Sequence, residues 1–306
     1  KTNELLGVLY VDLLWRKDKC EFAATFPIRF SKRIATPPKR LNLPSCRLTH
    51  NTQQKQEYSL PRVALVASNE TALEHHELET LFHEFGHVLA SLLSRTTYQH
   101  LAGTRVALDF AEVPSTLLER MVWKEDFLQK FARHHVTKEV LPKNAIDILK
   151  KKRDLLSTLN EQRQNLYALF DQYVHLLKPG DSDWTTRLLW SLQEKHTVLP
   201  LPSKNETELS TLRVHAGSSF NHLIGYGGMY YAYSFSRSIS SALWKHYFEN
   251  NTLNKEGGQA LYKELFLPAG DRDPLEIVAA LLNHKEKTID MKLLLDRFVI
   301  DTSDKK

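Results

Sequence analysis

Two histidines four residues apart carry the clearest chemical signal in the sequence. Residues 83–87 read His-Glu-Phe-Gly-His, inside a stretch whose apolar residues recur at helical spacing. Positions i and i+4 of a helix lie on the same face, so His83 and His87 can direct two ring nitrogens at one metal ion. Neutral nitrogen ligands suit zinc, and zinc lowers the pKa of a bound water to about 7. Glu84, next to His83, could take the proton of that water during hydrolysis of a peptide bond.

A catalytic zinc site also needs a third protein ligand and an open position for water. The candidate is Glu112, in the segment DFAEVPS at 109–115. Its neighbours are apolar, and an unpaired carboxylate among them would be costly. The segment would open a second helix that bends near Pro114. The sequence therefore predicts one zinc ion per chain, held by His83, His87 and Glu112.

Two further carboxylates could orient the metal ligands. A metal-bound histidine usually donates its other ring N–H to a carboxylate or a carbonyl. Glu79 lies one turn before His83, and Asp109 lies one turn before Glu112. Either could hold His83 or His87, although a solvated acid on the helix surface is an equally good interpretation of Glu79.

Four segments together resemble the thimet oligopeptidase family of zinc metallopeptidases. They are the motif at 83–87, DFAEVPS at 109–115, HLIGYGGMYYAY at 222–233 and GDRDPLE at 270–276. The segment YQHLAGTR at 98–105 is closest to the mitochondrial intermediate peptidase branch of that family. The resemblance covers about residues 6 to 298 and implies a zincin-type catalytic domain.

The resemblance also assigns roles to the glycine- and tyrosine-rich segment. It implies that Tyr230 and Tyr233 donate hydrogen bonds to the oxyanion of the tetrahedral intermediate, with His222 as the next candidate. It further implies that Gly225 and Tyr226 contact the substrate. From the residues alone, the tyrosines could equally be core aromatics at the start of a helix.

A strand beside the active-site helix would hold the substrate in the resembling family. The candidate is Pro61–Ala67, in which Ala64 and Val66 would bind an extended peptide through backbone hydrogen bonds. Without the resemblance, an ordinary core strand is at least as good an interpretation.

Composition agrees with a globular enzyme and excludes other classes. The 306 residues are 42% hydrophobic and 25% charged, which is ordinary for a globular protein. The formal net charge of +5 comes without a recognised nucleic-acid-binding module, so nucleic acid is not an expected partner. No apolar run approaches the roughly 20 residues of a membrane span. Two cysteines make no disulfide framework and suit a reducing compartment.

The predicted fold is mainly α, with a small β-sheet beside the active-site helix. The sheet region is about 6–70 and the helical region about 72–298. Strands are predicted at 6–14, 22–28 and 62–68. Helices are predicted at 72–94, 108–133, 143–177, 184–195, 207–222, 229–249, 256–267, 273–284 and 288–298, with 143–177 left open as one helix or two.

The expected function is that of a zinc metalloendopeptidase acting on oligopeptides or extended precursor segments. By the resemblance, it would remove N-terminal peptides from imported precursors in the mitochondrial matrix. The alternatives are a general cytosolic or organellar oligopeptidase and a non-catalytic peptide-binding fragment. The chain begins at Lys1 in an apolar run that lies well inside the resembling proteins, so we expect a C-terminal catalytic portion without their N-terminal helical part. Nothing in the sequence sets an oligomeric state.

Overall fold

The computed structural model describes residues 5–19, 21–34, 58–70, 73–181, 183–198, 222–225 and 227–283. These residues form a mainly helical structure with one small sheet, so the predicted fold class is confirmed. The helices predicted at 207–222 and 288–298 lie outside the described residues, apart from residue 222. Within the described ranges, no helix combines the length and the apolar character needed to cross a membrane.

The sheet has three strands, close to the predicted positions. They are β1 (Val8–Leu14), β2 (Ala24–Arg29) and β3 (Arg62–Asn69). The central strand β3 runs parallel to β1 and antiparallel to β2. β1 and β2 are therefore the two edges of the sheet that the described residues form.

This strand order corrects the predicted substrate-binding strand. Ala64 and Val66 lie in the central strand, where Ala64 pairs with Tyr10 on one side and Phe26 on the other. A strand paired on both sides has no backbone edge for a peptide. Alternating apolar residues identify a strand, but its place in a sheet depends on long-range pairing, which the local pattern does not contain.

Helix α1 (His75–Leu93) carries the two histidines and lies between the sheet and the main core. Its first turn is closed by a capping box between Glu74 and Glu77. One side of the helix packs on the inner face of the sheet through Leu81, Val88 and Leu92. Another side enters the main core.

The remaining helices are shorter, with one exception. They are α2 (Val113–Glu119), α3 (Glu125–Phe131), α4 (Lys143–Leu176), α5 (Trp184–His196), α6 (His222–Gly225), α7 (Ala232–Tyr247), α8 (Lys255–Leu261) and α9 (Pro274–Leu281). The predicted stretch 143–177 is a single helix. The predicted helix at 108–133 is instead α2, a 3-10 turn at Arg120–Trp123 and α3.

Three apolar clusters hold the described helices together, one of which packs α3 against α4 through Leu128 and Ile146. The main core joins α1, α2, α7 and α9, and contains residues such as Val113, Ile239 and Ile277. A second cluster, centred on Leu166 and Phe170, packs α4 against α5.

Candidate active site

The predicted ligands converge on one point. The Nε2 atoms of His83 and His87 lie 3.3 Å and 3.2 Å from the same oxygen, Oε2 of Glu112. One donor atom from each residue lies within 4.8 Å of the others. Two imidazole nitrogens and a carboxylate oxygen are the donor set of many catalytic zinc sites, so these three residues could hold a metal ion.

Close approach of α1 and α2 makes this convergence possible. A Cβ atom at Gly86 would lie 2.5 Å from Cα of Ser115 and 2.7 Å from the carbonyl oxygen of Pro114. Only glycine leaves room for the start of α2 at that distance. Gly86 therefore serves the close packing of α1 and α2.

Glu112 is the N-cap of α2, and local hydrogen bonds hold its carboxylate. Pro114 follows in the first turn, where its missing N–H leaves no helical hydrogen bond unmade. The Ser115 hydroxyl lies 2.7 Å from Oε2 of Glu112 and donates to it. The Thr116 hydroxyl donates to the backbone carbonyl of Glu112. The helix start thus fixes the carboxylate that faces both histidines.

The pKa values of His83 and Glu112 are strongly shifted. Burial alone would lower the pKa of His83, but the carboxylates of Glu112 and Glu119 raise it to about 10. Burial would raise the pKa of Glu112, and hydrogen bonds from His83 and His87 instead hold it far below its ordinary value. A metal that binds here therefore has to displace the proton of His83, which makes metal affinity dependent on pH.

Glu119 is the carboxylate that contacts His83 from behind. Its Oε1 lies 2.5 Å from Nδ1 of His83, the ring nitrogen that faces away from Glu112. This contact is the one expected of Glu79 or Asp109, and in the structure neither residue makes it. Glu119 follows Glu112 by seven residues, or two helical turns. This spacing, visible in the sequence, places Glu119 on the same face of the helix as Glu112.

The two predicted supports have other partners. Glu79 accepts a hydrogen bond from the indole N–H of Trp123, and burial raises its pKa. The carboxylate of Asp109 accepts from the Tyr231 hydroxyl, and its backbone carbonyl accepts from Ser236. Asp109 therefore connects the segment before Glu112 to the start of α7. Neither predicted support contacts His87, whose Nδ1 is buried without a hydrogen-bond partner among the described residues.

A cavity of about 620 Å³ opens over His83, His87 and Glu112. Glu84, Tyr230 and Tyr233 line it together with His83, His87 and Glu112, so the structure brings these six predicted site residues together. Ala24 and Thr25 of the edge strand β2 line the same cavity. The Thr25 hydroxyl donates to the backbone carbonyl of Glu84 over 3.0 Å, which joins this edge to the active-site helix.

The tyrosine segment reaches the cavity at the start of α7, where it contacts α4. Tyr230 is mostly buried, and its hydroxyl donates to Oε1 of Gln164 over 3.1 Å. Burial raises the pKa of Tyr230, so its phenol keeps its proton at neutral pH and can donate a hydrogen bond. The rings of Tyr230 and Tyr233 lie 5.3 Å apart.

The other predicted residues of this segment are only partly described. Gly225 ends α6, and no heavy atom lies within 4 Å of a Cβ built on it. The side chain of His222 and the whole of Tyr226 lie outside the described residues. Their predicted roles stay predictions.

Sequence comparison extends over nearly the whole chain. Residues 1–293 match peptidase family M3. The mitochondrial intermediate peptidase of Arabidopsis thaliana is 37% identical over 283 residues, which cover 90% of this chain and 36% of that protein. The mitochondrial intermediate peptidase of Homo sapiens is 33% identical over 289 residues, covering 92% and 36%. That of Yarrowia lipolytica is 31% identical over 300 residues, covering 94% and 37%.

The chain spans just over a third of the length of these relatives. The match to the family nonetheless includes almost all of this chain, and His83, Glu84, His87 and Glu112 lie within it. The chain therefore belongs to peptidase family M3.

Proposed function

We propose that this chain is the catalytic portion of a zinc metalloendopeptidase, in which His83, His87 and Glu112 hold one zinc ion. The observation that carries the proposal is the convergence of these three donors with Glu84 at the wall of one cavity. Membership of family M3 supports a peptidase, and the chemistry of the donor set supports zinc.

The residues around the proposed zinc site have different roles in hydrolysis. Bound zinc would supply a Lewis acid and a water of lowered pKa. Glu84 takes the proton of the attacking water and passes it to the leaving amine. The phenol of Tyr233 donates to the oxygen of the scissile carbonyl as negative charge develops there, and that of Tyr230 does so once its hydrogen leaves Gln164.

The edge strand β2 is the better candidate for holding the substrate. Ala24 and Thr25 line the cavity, and β2 is paired on one side only among the described residues. An extended peptide can add to such an edge through backbone hydrogen bonds. By the resemblance, Gly225 and Tyr226 remain proposed contacts of the substrate.

The proposed substrates are N-terminal peptides of precursor proteins in the mitochondrial matrix. The relatives named above support this substrate class, since all three are mitochondrial intermediate peptidases. A general oligopeptidase is the second candidate, because a cavity of about 620 Å³ has room for a short peptide.

Glu84→Gln tests the proposed reaction. The amide keeps the shape of the side chain but cannot accept the proton, so we expect zinc to be retained and kcat for a quenched fluorescent peptide to fall by about 10²-fold or more. Glu79→Gln is the matched control, because it makes the same change on the same helix and in the same cavity and should keep kcat within about twofold. Near-normal turnover by Glu84→Gln would overturn the role of Glu84.

A further inference from the structure

Helix α4 contains a carboxylate that the proposed reaction does not use. The side chain of Asp171 is completely buried, at 0% exposure. Burial of a carboxylate is costly unless it is paired or accepts hydrogen bonds. The partners of Asp171 therefore indicate what the burial serves.

Its two oxygens both bind backbone N–H groups of the tyrosine segment. Oδ1 accepts from the amide of Gly228 and Oδ2 from the amide of Tyr230, each over 2.9 Å. Nδ1 of His175, one turn further along α4, lies 3.1 Å from Oδ1. Hydrogen bonds to a carboxylate are stronger than those between neutral groups, so this is a firm attachment of a loop to a helix.

Neighbouring residues of α4 attach the same loop. The Gln172 amide donates to the carbonyl oxygen of Gly228 over 2.7 Å. A Cβ atom at Gly227 would lie 2.8 Å from Nε2 of His175, so the loop packs tightly on this helix. Gly228 has φ +73°, a conformation that lets the chain turn between its two attachments to the helix.

The same face of α4 also holds the other end of Tyr230. Gln164 precedes Asp171 by seven residues, or two turns, and accepts the phenol hydrogen of Tyr230. One helix thus holds Tyr230 at its backbone through Asp171 and at its hydroxyl through Gln164. The ring between these two points lines the cavity over the candidate ligands.

We propose that Asp171 is a positioning residue, whose carboxylate holds the Gly228–Tyr230 backbone on α4 and so aims the Tyr230 phenol into the active-site cavity. The catalytic consequence rests on the function proposed above, whereas the attachment itself does not. A displacement of about 1 Å at a reacting group can cost about 10²-fold in rate, so such an attachment matters for turnover.

The test uses Asp171→Asn, with amide hydrogen exchange and kinetics on the same samples. The isosteric amide has one acceptor oxygen, so whichever way it lies, one of the two loop N–H groups loses its partner. We expect exchange at Gly228 or Tyr230 to become about 10-fold faster. We expect kcat to fall about 10-fold or more, with KM changed by less than about threefold and zinc content unchanged.

Phe170→Leu is the matched control for loss of stability alone. Phe170 is the adjacent residue of α4 and is buried in the cluster with α5. This variant should lower Tm while exchange at Gly228 and Tyr230 and kcat stay near wild type. If Asp171→Asn does not fold, exchange in the wild-type chain decides: the amides of Gly228 and Tyr230, which both donate to Asp171, should exchange at least about 10-fold more slowly than unprotected amides, and exchange at the unprotected rate would overturn the attachment.

Unchanged exchange at both amides would overturn the attachment. Faster exchange with unchanged kcat would overturn the positioning role. If the wild-type chain showed no turnover, the proposed function would fail in this chain, and the exchange measurement would still decide whether Asp171 holds the loop.

Discussion

At the level of residues, two carboxylates near His83 differ in what they contact. Glu119 lies against Nδ1 of His83, whereas Glu79 accepts from Trp123. Partners of this kind raise the basicity of a metal-binding histidine and fix its orientation. We therefore expect Glu119→Gln to weaken zinc affinity about 10- to 100-fold in a competition assay with a chelator. Zinc affinity equal to wild type would show that Glu119 does not act through His83.

Glu79→Gln is the control for that measurement and makes its own prediction about pH. Burial raises the pKa of Glu79 above its unfolded value, so the folded state loses stability as pH rises through the folded pKa. A glutamine at position 79 can still accept the hydrogen bond from Trp123 but does not ionise, so the variant does not lose this stability as pH rises. We expect unchanged zinc affinity, and at neutral pH a free energy of unfolding equal to or above wild type. The difference should vanish below about pH 4, where the unfolded carboxyl is also protonated.

The sequence predicts the ligands better than their supports for a local reason. His83 and His87 face one way because of helical geometry alone, and Glu112 was indicated by its apolar neighbours. Glu119 contacts His83 only because α2 crosses α1, a relation between distant segments. The attachment of Tyr230 by Asp171 has the same origin, since 59 positions separate the two residues.

At the level of elements, the crossing of α1 and α2 at Gly86 sets the geometry of the ligands. An alanine there would bring its Cβ within 2.7 Å of backbone atoms of Pro114 and Ser115, which cannot move aside as a flexible side chain would. Overpacking of this kind typically costs about 1–3 kcal/mol. We expect Gly86→Ala to lower the free energy of unfolding by that amount and to weaken zinc binding, because Glu112 moves away with α2.

Gly258→Ala is the control for the glycine substitution. Gly258 lies in α8, and no heavy atom is within 4 Å of a Cβ built on it. Alanine there should be neutral or should stabilise the protein by about 0.4–1 kcal/mol. Denaturant titrations of both variants measure the two effects, and equal effects would contradict the packing argument at Gly86.

The types of the elements were predictable from the sequence, whereas the breaks between helices and the order of the strands in the sheet were less so. The apolar periodicity of α1 and α4 marked both helices correctly. The region 108–133 also has helical periodicity, yet α2 begins only at Val113, with Pro114 in its first turn, and Lys124, in an extended conformation, separates the 3-10 turn from α3. The sheet order, with β3 in the centre, depends on pairings between strands that are far apart in sequence.

At the level of the whole molecule, the outer face of the sheet is apolar and exposed. Tyr10 and Phe26 lie on either side of Ala64 on this face and are 49% and 45% exposed. Exposed apolar surface on edge strands favours association with other chains. We expect Tyr10→Lys to raise severalfold the protein concentration at which light scattering detects self-association of this chain, with zinc content unchanged.

Leu155→Lys is the control for a general effect of added charge. Leu155 is highly exposed on α4, away from the sheet, so this variant should leave self-association as in wild type. Equal effects of the two lysines would mean that net charge, rather than the sheet face, governs association.

The relation of this chain to a longer protein stays a prediction. The chain spans just over a third of the length of the relatives it matches. We expect a protein that also carries the N-terminal helices of the resembling family to have a higher kcat/KM than this chain. Those helices would form a second wall of the cavity and exclude water from it.

The central claim is that turnover of peptides depends on one zinc ion at His83, His87 and Glu112. The most direct test removes metal from the chain with a chelator and follows hydrolysis of a quenched fluorescent peptide as zinc is returned. We expect no turnover in the metal-free chain, a linear rise with added zinc and a plateau at one zinc per chain, with no rise in Glu112→Ala. Turnover by the metal-free chain, or a zinc-dependent rise that Glu112→Ala shares, would contradict the account.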